Sequence, residues 1–399
     1  MFIGREKEHF SMWIILVVGM LRLVNAAPST DGNAVLGGAG LGVSTPREAL
    51  EAFVTKGAVA GAISMTSDHG KVETAFVGLA DPETGRALDE KSFFWIASMT
   101  KGFCGAAVMT CVDRGLVSLD DPIEKYIPEI AQVRVAVKGK NGKKTYRPAK
   151  VKMTLRMCLS HMAGFPFNPP EYDQDPMACQ RLSLADYAAL AAKCPLLWDP
   201  MTKHSYSNVD INLAGRVVEI VTGQRFEDYL RKTFFEPLGM RDITFFPTAE
   251  QQSHRVFVSR VAKGKHYADG RGDRWARSLR PDVIANKRMV SPAGGLYSTA
   301  GDVMKFYQML ANDGKTPNGV RLLSHASILE LSHAQYPRFD RYSLGLRQYG
   351  EWFGHDGALQ TEAYANWKEN KVALLFVQVT GDWNHPFKRA WRNAVGLGK

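Results

Sequence analysis

The residues best suited to chemistry stand in the apolar run 93–109, FFWIASMTKGFCGAAVM, where Ser98 and Lys101 are three positions apart. On a helix such a pair shares a face, so the hydroxyl and the ammonium can meet within hydrogen-bond reach. That is a nucleophile beside a base. The positions that follow are apolar on every side, as expected of a helix in the middle of a protein. An ammonium buried there is costly unless it is paired or deprotonated, and desolvation lowers a lysine's pKa toward the range where it acts as a base. The alternative is a structural lysine snorkelling from a helix end. Ser-x-x-Lys occurs once in the chain, at the start of its most apolar helix, which favours the catalytic reading.

Two further stretches carry side chains of use to such a pair. In His204-Ser205-Tyr206-Ser207-Asn208, Tyr206 and Asn208 are two apart in an extended loop and point the same way. The same spacing recurs at Tyr364 and Asn366 in an expected strand, so the pattern alone is weak. In Gly354-His355-Asp356-Gly357-Ala358, a histidine sits between glycines at a strand end, and the missing side chains leave room for a substrate to lie close. By itself this also reads as a tight turn with a half-exposed histidine.

The elements that must position these groups follow from periodicity and turn chemistry. Thr45 and Pro46 are an N-cap and first residue for a helix over 46–56. Residues 59–65 and 71–78 are expected as antiparallel strands joined at Ser67-Asp68-His69-Gly70. The helix carrying Ser98 should end at Gly115, and Asp121-Pro122 should open another. Helical periodicity then marks 155–161, 183–194, 208–223 and 226–235, whereas strand signals return at 295–297, 342–347, 351–355, 361–367 and 372–379 before a closing helix over 386–395. The expected fold class is therefore α/β (α+β): an antiparallel sheet flanked by helices, with a mainly helical insertion. Residues 46–115 and 290–399 form a discontinuous α/β domain in this reading, and 116–289 form the inserted helical domain.

The ends and the composition narrow the setting. Residues 12–23 are a short apolar core followed by Val24-Asn25-Ala26-Ala27, so 1–27 reads as a signal peptide and 28–45 as a linker. The core falls short of the ~20 residues that span a bilayer. Export to the periplasm or the medium is expected, with membrane attachment only if the signal stays uncleaved. The net charge is +10, but its densest cluster, at residues 138–144, has an Asn-Gly centre and reads as a solvated hairpin tip, so no nucleic-acid partner is expected. Of the five cysteines, Cys104 and Cys111 read as small buried residues, and a Cys179–Cys194 bridge is open. No Cys-x-x-Cys or His-Glu-x-x-His occurs, and neither a metal site nor a cofactor is expected.

Taken in order, Ser-x-x-Lys, Tyr-x-Asn and His-x-Gly resemble the serine β-lactamase and penicillin-binding-protein superfamily, specifically its class C-like branch with carboxylesterases and D-aminopeptidases. Leu159-Ser160-His161-Met162-Ala163-Gly164, Glu236-Pro237-Leu238-Gly239-Met240 and Ser291 to Ala300 extend the resemblance over about residues 46–395. It implies that Ser98 is the acylated nucleophile, Lys101 its base and Tyr206 the proton shuttle to the leaving group. It also implies that Asn208, His355 and Gly357 contact substrate, and that the backbone amides of Ser98 and Ala358 form the oxyanion hole. This chain departs from the penicillin-binding form of the third motif, Lys-Thr-Gly, with His355-Asp356-Gly357 in its place, as many esterase-like relatives do. The implied function is a serine hydrolase acting on a small ester, amide or D-amino-acid peptide, cell-wall fragments included, and more esterase-like than a true β-lactamase. A class C-like β-lactamase, a D-aminopeptidase or DD-peptidase, and an idle binding member of the fold are the alternatives. An α/β-hydrolase is disfavoured because no Gly-x-Ser-x-Gly occurs. A histidine of ordinary pKa would be mostly neutral at pH 7, so β-lactam turnover should improve only as pH falls and His355 gains its proton.

Overall fold

A computed structural model describes residues 45–139, 142–171, 181–262, 265–268, 289–380 and 386–397. The signal and linker expectations lie outside these residues. Seven antiparallel strands form the main sheet, in the spatial order 347–349, 352–356, 362–366, 371–376, 61–68, 71–81 and 86–87. Strands from the start and end of the sequence meet where Gly61–Asp68 pairs with Lys371–Phe376, Ile63 opposite Phe376. The sheet is mixed with helices as the periodicity predicts, in the layered arrangement that buries both of its faces.

One face is covered by Pro46–Thr55 and Pro386–Ala394. The first begins with a capping box, Thr45 and Glu48 each satisfying the other's backbone amide. The second lays Phe387 against Phe53 and sends the Trp391 indole N–H to Ser64 Oγ, 2.8 Å away. Its Arg392 holds Glu362, a fully buried carboxylate that also accepts from Lys388 at 3.1 Å. On the other side, Thr100–Asp113 is the central helix, with every residue from Thr100 to Cys111 buried. Phe103 stacks on Phe306 of the helix Ala300–Ala311 at 3.9 Å between ring centroids. One apolar cluster continues from Ile63 and Phe376 of the sheet through this helix to Leu155, Leu184 and Val209.

Several elements differ from their sequence signals. Phe93–Trp95 is a strand paired with Tyr297–Thr299, and Ser98 lies on a 3₁₀ turn, Ala97–Met99, that leads into the central helix. The expected strand 342–347 is broken at Gly345, whose φ of +76° turns the chain so that Tyr342 pairs with Arg347. Asp121-Pro122 opens a 3₁₀ turn, Ile123–Lys125, and the helix from Phe226 widens into a π turn at Arg231–Phe235. The basic hairpin forms as expected, with Val135 opposite Arg147. Cys194 is a buried free thiol, and Cys179 lies outside the described residues.

The two glycines in the central helix are packing requirements. A Cβ on Gly102 would lie 2.5 Å from Leu346 Cδ2, and one on Gly105 would lie 2.0 Å from the Leu344 carbonyl. The 344–346 turn therefore rests directly on the helix one turn past Lys101. Gly105→Ala should lower stability by about 1–3 kcal/mol through overpacking, even though alanine is favoured over glycine in a helix by roughly 1 kcal/mol. Urea unfolding of the two proteins checks it, with an unchanged or raised midpoint the contrary result.

Candidate active site

The chain reaches Ser98 through a short, pinned turn. Ala97 has φ +47°, in the left-handed region, which costs a residue with a Cβ roughly 1–2 kcal/mol. The turn is held by the Thr100 hydroxyl, which donates to the Ala97 carbonyl at 2.6 Å and accepts from Leu296 N–H at 3.2 Å. Trp95 adds an indole bond to the Gly294 carbonyl, 2.7 Å. Strain of this kind persists only where the surroundings over-determine it, and it aims the Ser98 side chain outward from a buried element.

Lys101, with 0% exposure, makes three contacts through Nζ. They are Asn208 Oδ1 at 2.9 Å, the Ala293 carbonyl at 2.6 Å and Ser98 Oγ at 3.2 Å. The first two partners can only accept, so they take two N–H bonds. In the neutral amine the remaining direction, toward Ser98, is the lone pair. Burial pushes the Lys101 pKa down to about 7, against smaller upward pulls from Cys104 and Asp356. Tyr206 completes the group, with Lys101 Nζ 4.7 Å from its ring centroid and a hydrogen bond between its hydroxyl and that of Ser98. Burial raises the phenol's pKa, and the Ser98 bond pulls the other way, so Tyr206 is neutral at ordinary pH.

The other expected site residues fall around this core. Asn208 begins the helix Asn208–Thr222, and its Nδ2 donates to Asn168 Oδ1 at 3.0 Å, which leaves one amide hydrogen for a substrate. Gly357 packs on the turn that carries Ser98, where a Cβ would lie 2.5 Å from the Ile96 carbonyl and 2.3 Å from Thr361 Oγ1. The turn is closed by Gly357 N–H to the Thr361 carbonyl, 2.7 Å, and leaves Ala358 exposed beside it. At Gly354 the space is already filled, since a Cβ there would lie 2.0 Å from the Ala363 carbonyl, so this glycine serves strand packing and gives no room to substrate.

His355 differs most from expectation. It is 2% exposed, with Nδ1 2.6 Å from its neighbour Asp356's carbonyl and Nε2 2.8 Å from the Tyr342 hydroxyl. A carbonyl only accepts, so Nδ1 carries the proton and Tyr342 donates to Nε2. Both ring nitrogens are engaged within the protein. Burial lowers its pKa to about 3, with Lys101 and Arg347 adding to the effect and Asp356 opposing it. The idea that His355 gains a proton as pH falls through its ordinary range is therefore corrected: it stays neutral well into acid.

Three supporting residues went unnoticed in the sequence, and a fourth, His161, was read only as part of a motif. Asn212, one turn along from Asn208, accepts from Ala293 N–H at 3.1 Å and so fixes the carbonyl that Lys101 meets. His161, at φ +60°, accepts from Ser207 N–H at 3.2 Å, and its carbonyl takes Ser205 N–H at 2.9 Å, clamping both sides of Tyr206. Its ring lies 4.5 Å from those of Tyr206 and Tyr342. Asn168 and Tyr342 complete the set. Only His161 had a signal, as part of the motif at 159–164.

The sequence pattern of the family described as Beta-lactamase matches residues 46–397. The chain belongs to the Beta-lactamase family. Among curated relatives of this β-lactamase-family protein, protein Rv1367c of Mycobacterium tuberculosis is 29% identical over 282 residues, which cover 68% of this chain and 67% of that one. Penicillin-binding protein 4 of Amycolatopsis lactamdurans is 27% identical over 329 residues, 78% of each chain. The solved structure of EstCE1, titled a hydrolase with promiscuous acyltransferase activity, superposes with a TM-score of 0.69 at 18% identity, over 88% of this chain and 97% of that one. At that identity the likeness shows the β-lactamase/transpeptidase fold, and the family is one of serine hydrolases.

The pKa of Lys101 sets a pH profile. If the neutral amine is the active form, kcat/KM for an ester should rise with pH through about 7 and level off above it. Lys101→Arg should be as inactive as Lys101→Ala, because arginine keeps the charge but cannot release its proton. Tyr206→Phe should lose on the order of 10²- to 10⁴-fold. Substantial activity in the arginine variant, or a flat profile across neutrality, would show that the site does not use the amine as a base.

Proposed function

We propose that this protein is an exported serine hydrolase that works through an acyl-enzyme on a small ester, amide or D-amino-acid peptide, esters foremost. The observation that carries the reading is the saturation of Lys101 by two acceptor-only oxygens, which directs its third valence at Ser98 Oγ. In the proposed cycle Lys101 takes the Ser98 proton as the oxygen attacks the scissile carbonyl. The amides of Ser98 and Ala358 receive the oxyanion, Tyr206 returns a proton to the leaving group, and water reverses the steps to release the acid.

Preference for esters over β-lactams rests on His355. A lysine in the third motif would offer a permanent cation to a β-lactam carboxylate, a charge-assisted contact of roughly 1.5–3 kcal/mol. His355, neutral down to about pH 3 and bonded to Tyr342, offers none. Similarity to the putative D-alanyl-D-alanine carboxypeptidase of Escherichia coli, 27% identical over 290 residues, supports a peptidase as the second reading.

A fluorophosphonate probe should label the peptide containing Ser98, and Ser98→Ala should remove both labelling and turnover. A short-chain 4-nitrophenyl ester should exceed a chromogenic cephalosporin in kcat/KM by about tenfold or more, following the energy of the missing contact. Lowering the pH toward 5 should bring no gain in cephalosporin turnover. Labelling at another serine would discard the nucleophile, and a neutral-pH preference for the cephalosporin would return the protein to the β-lactamases proper.

A further inference from the structure

The net charge of this protein comes from one place. Residues 130–170 hold nine of its 50 lysines and arginines and no aspartate or glutamate, which leaves 41 basic against 40 acidic residues in the rest of the chain. Within that stretch lies the hairpin of Arg134–Lys138 and Lys144–Pro148. Cross-strand partners share a face, so Arg134 with Pro148, Ala136 with Tyr146 and Lys138 with Lys144 form one side of it, opposite the side on which Val135 is buried. Arg134, Lys138, Lys143, Lys144 and Lys150 are exposed, and among the described residues no carboxylate is paired with any of them. Lys152 and Arg156, by contrast, are committed to Glu124 and Asp120.

Apolar exposure gathers on the same element. A third segment joins the hairpin, where Leu196 N–H donates to the Arg134 carbonyl and Ala136 N–H to the Leu196 carbonyl, both at 2.9 Å. Leu196 is buried alongside Val135, so alternation turns Leu197 to the outer side with Ala136 and Tyr146. Asp199 ties this segment to the base of the hairpin, accepting from Arg147 Nη1 at 2.9 Å and from Lys150 N–H at 3.0 Å. Among the described residues seven large apolar side chains are exposed, and four of them, Tyr146, Val151, Leu197 and Trp198, belong to these joined segments. Lys203 Nζ adds a further cation, 4.4 Å from the centroid of the Trp198 ring.

A solvated hairpin tip accounts for the lysines but not for the apolar side chains beside them, and a soluble polyanion would leave those side chains in water. A lipid surface of negative charge uses both. Its phosphates attract the cations, tyrosine and tryptophan settle at the level of the headgroups, and aliphatic side chains reach the acyl boundary. We propose that the outer face of this hairpin, with the adjoining Leu197 and Trp198, docks on an anionic phospholipid bilayer. The docking is independent of the hydrolase reading, although the face is tied to the site: Leu197 N–H donates to the Gly164 carbonyl at 2.8 Å, in the same loop whose His161 and Asn168 support Tyr206 and Asn208.

Flotation of the full chain with phosphatidylcholine vesicles, with and without phosphatidylglycerol, tests it. The wild type should bind the anionic vesicles about tenfold or more tightly than the neutral ones, and the preference should shrink as salt is raised. Replacing Lys138, Lys143 and Lys144 together by glutamine should remove most of that preference, whereas replacing all three by arginine should keep it. The pair Tyr146→Ser and Leu197→Ser should weaken binding to anionic vesicles about tenfold and leave binding to soluble polyphosphate unchanged. All five side chains are exposed, and urea midpoints check that each variant is folded. Contributions from the rest of the chain are common to every variant. Equal binding to the two kinds of vesicle, or a preference that survives the glutamine variant, would overturn the docking face. Vesicle binding that is unchanged in the serine pair would overturn the lipid occupant and leave a site for a soluble polyanion. Neither result bears on the hydrolase reading, which stands or falls on Ser98.

Discussion

The architecture turns on one buried amine. Lys101 has no exposure, and a charge in that position is costly unless every valence is met. Three segments far apart in sequence converge to meet it: the turn at Ser98, the start of the helix at Asn208 and the Ala293 carbonyl. Each is then secured by a further contact. Thr100 pins the first, Asn168 holds the second through Asn208 Nδ2, and Asn212 fixes the third. Removing any of these would leave the amine with a poorer set of partners, so much of the middle of the chain is constrained by the need to keep Lys101 both buried and available.

The same low-polarity surroundings explain the neutral character of the site. His161 and His355 lie close to Tyr206 and Lys101, and burial lowers the pKa of both. Tyr206 and Tyr342 are kept as phenols for the same reason. The strong charges sit at the periphery of this aromatic cluster: Asp356 toward Lys388 on one side, Arg347 and Asp340 on the other. Ser98 and Tyr206 therefore lie among aromatic groups that burial keeps neutral, and the Lys101 pKa itself is lowered to about 7.

Much of the frame was legible in the chain. The helices at 46, 208 and 386 announced themselves through caps, prolines and periodicity, and the terminal strands through alternation and turn residues. The Ser-x-x-Lys spacing and the apolar run after it were enough to mark Ser98 as the candidate nucleophile and Lys101 as a buried amine beside it. Less legible were elements set by long-range contact. Phe93–Trp95 looks like part of a helical run until its partner strand Tyr297–Thr299 is present. The strand at 342–347 fails because Gly345 must turn over the Lys101 carbonyl, 2.4 Å from a Cβ placed there.

The candidate pair was legible in the sequence, because a spacing of three residues can bring Ser98 and Lys101 to one side of a helical turn. Their chemistry was decided only by tertiary structure. Which of the amine's valences is free depends on Asn208 and Ala293, 107 and 192 residues away. Whether His355 offers a charge depends first on its burial, and the Tyr342 hydroxyl that meets its Nε2 comes from 13 residues away. Local geometry is encoded locally, but desolvation and hydrogen-bond saturation are sums over whatever the fold brings near, and those sums exist only once the chain has closed on itself.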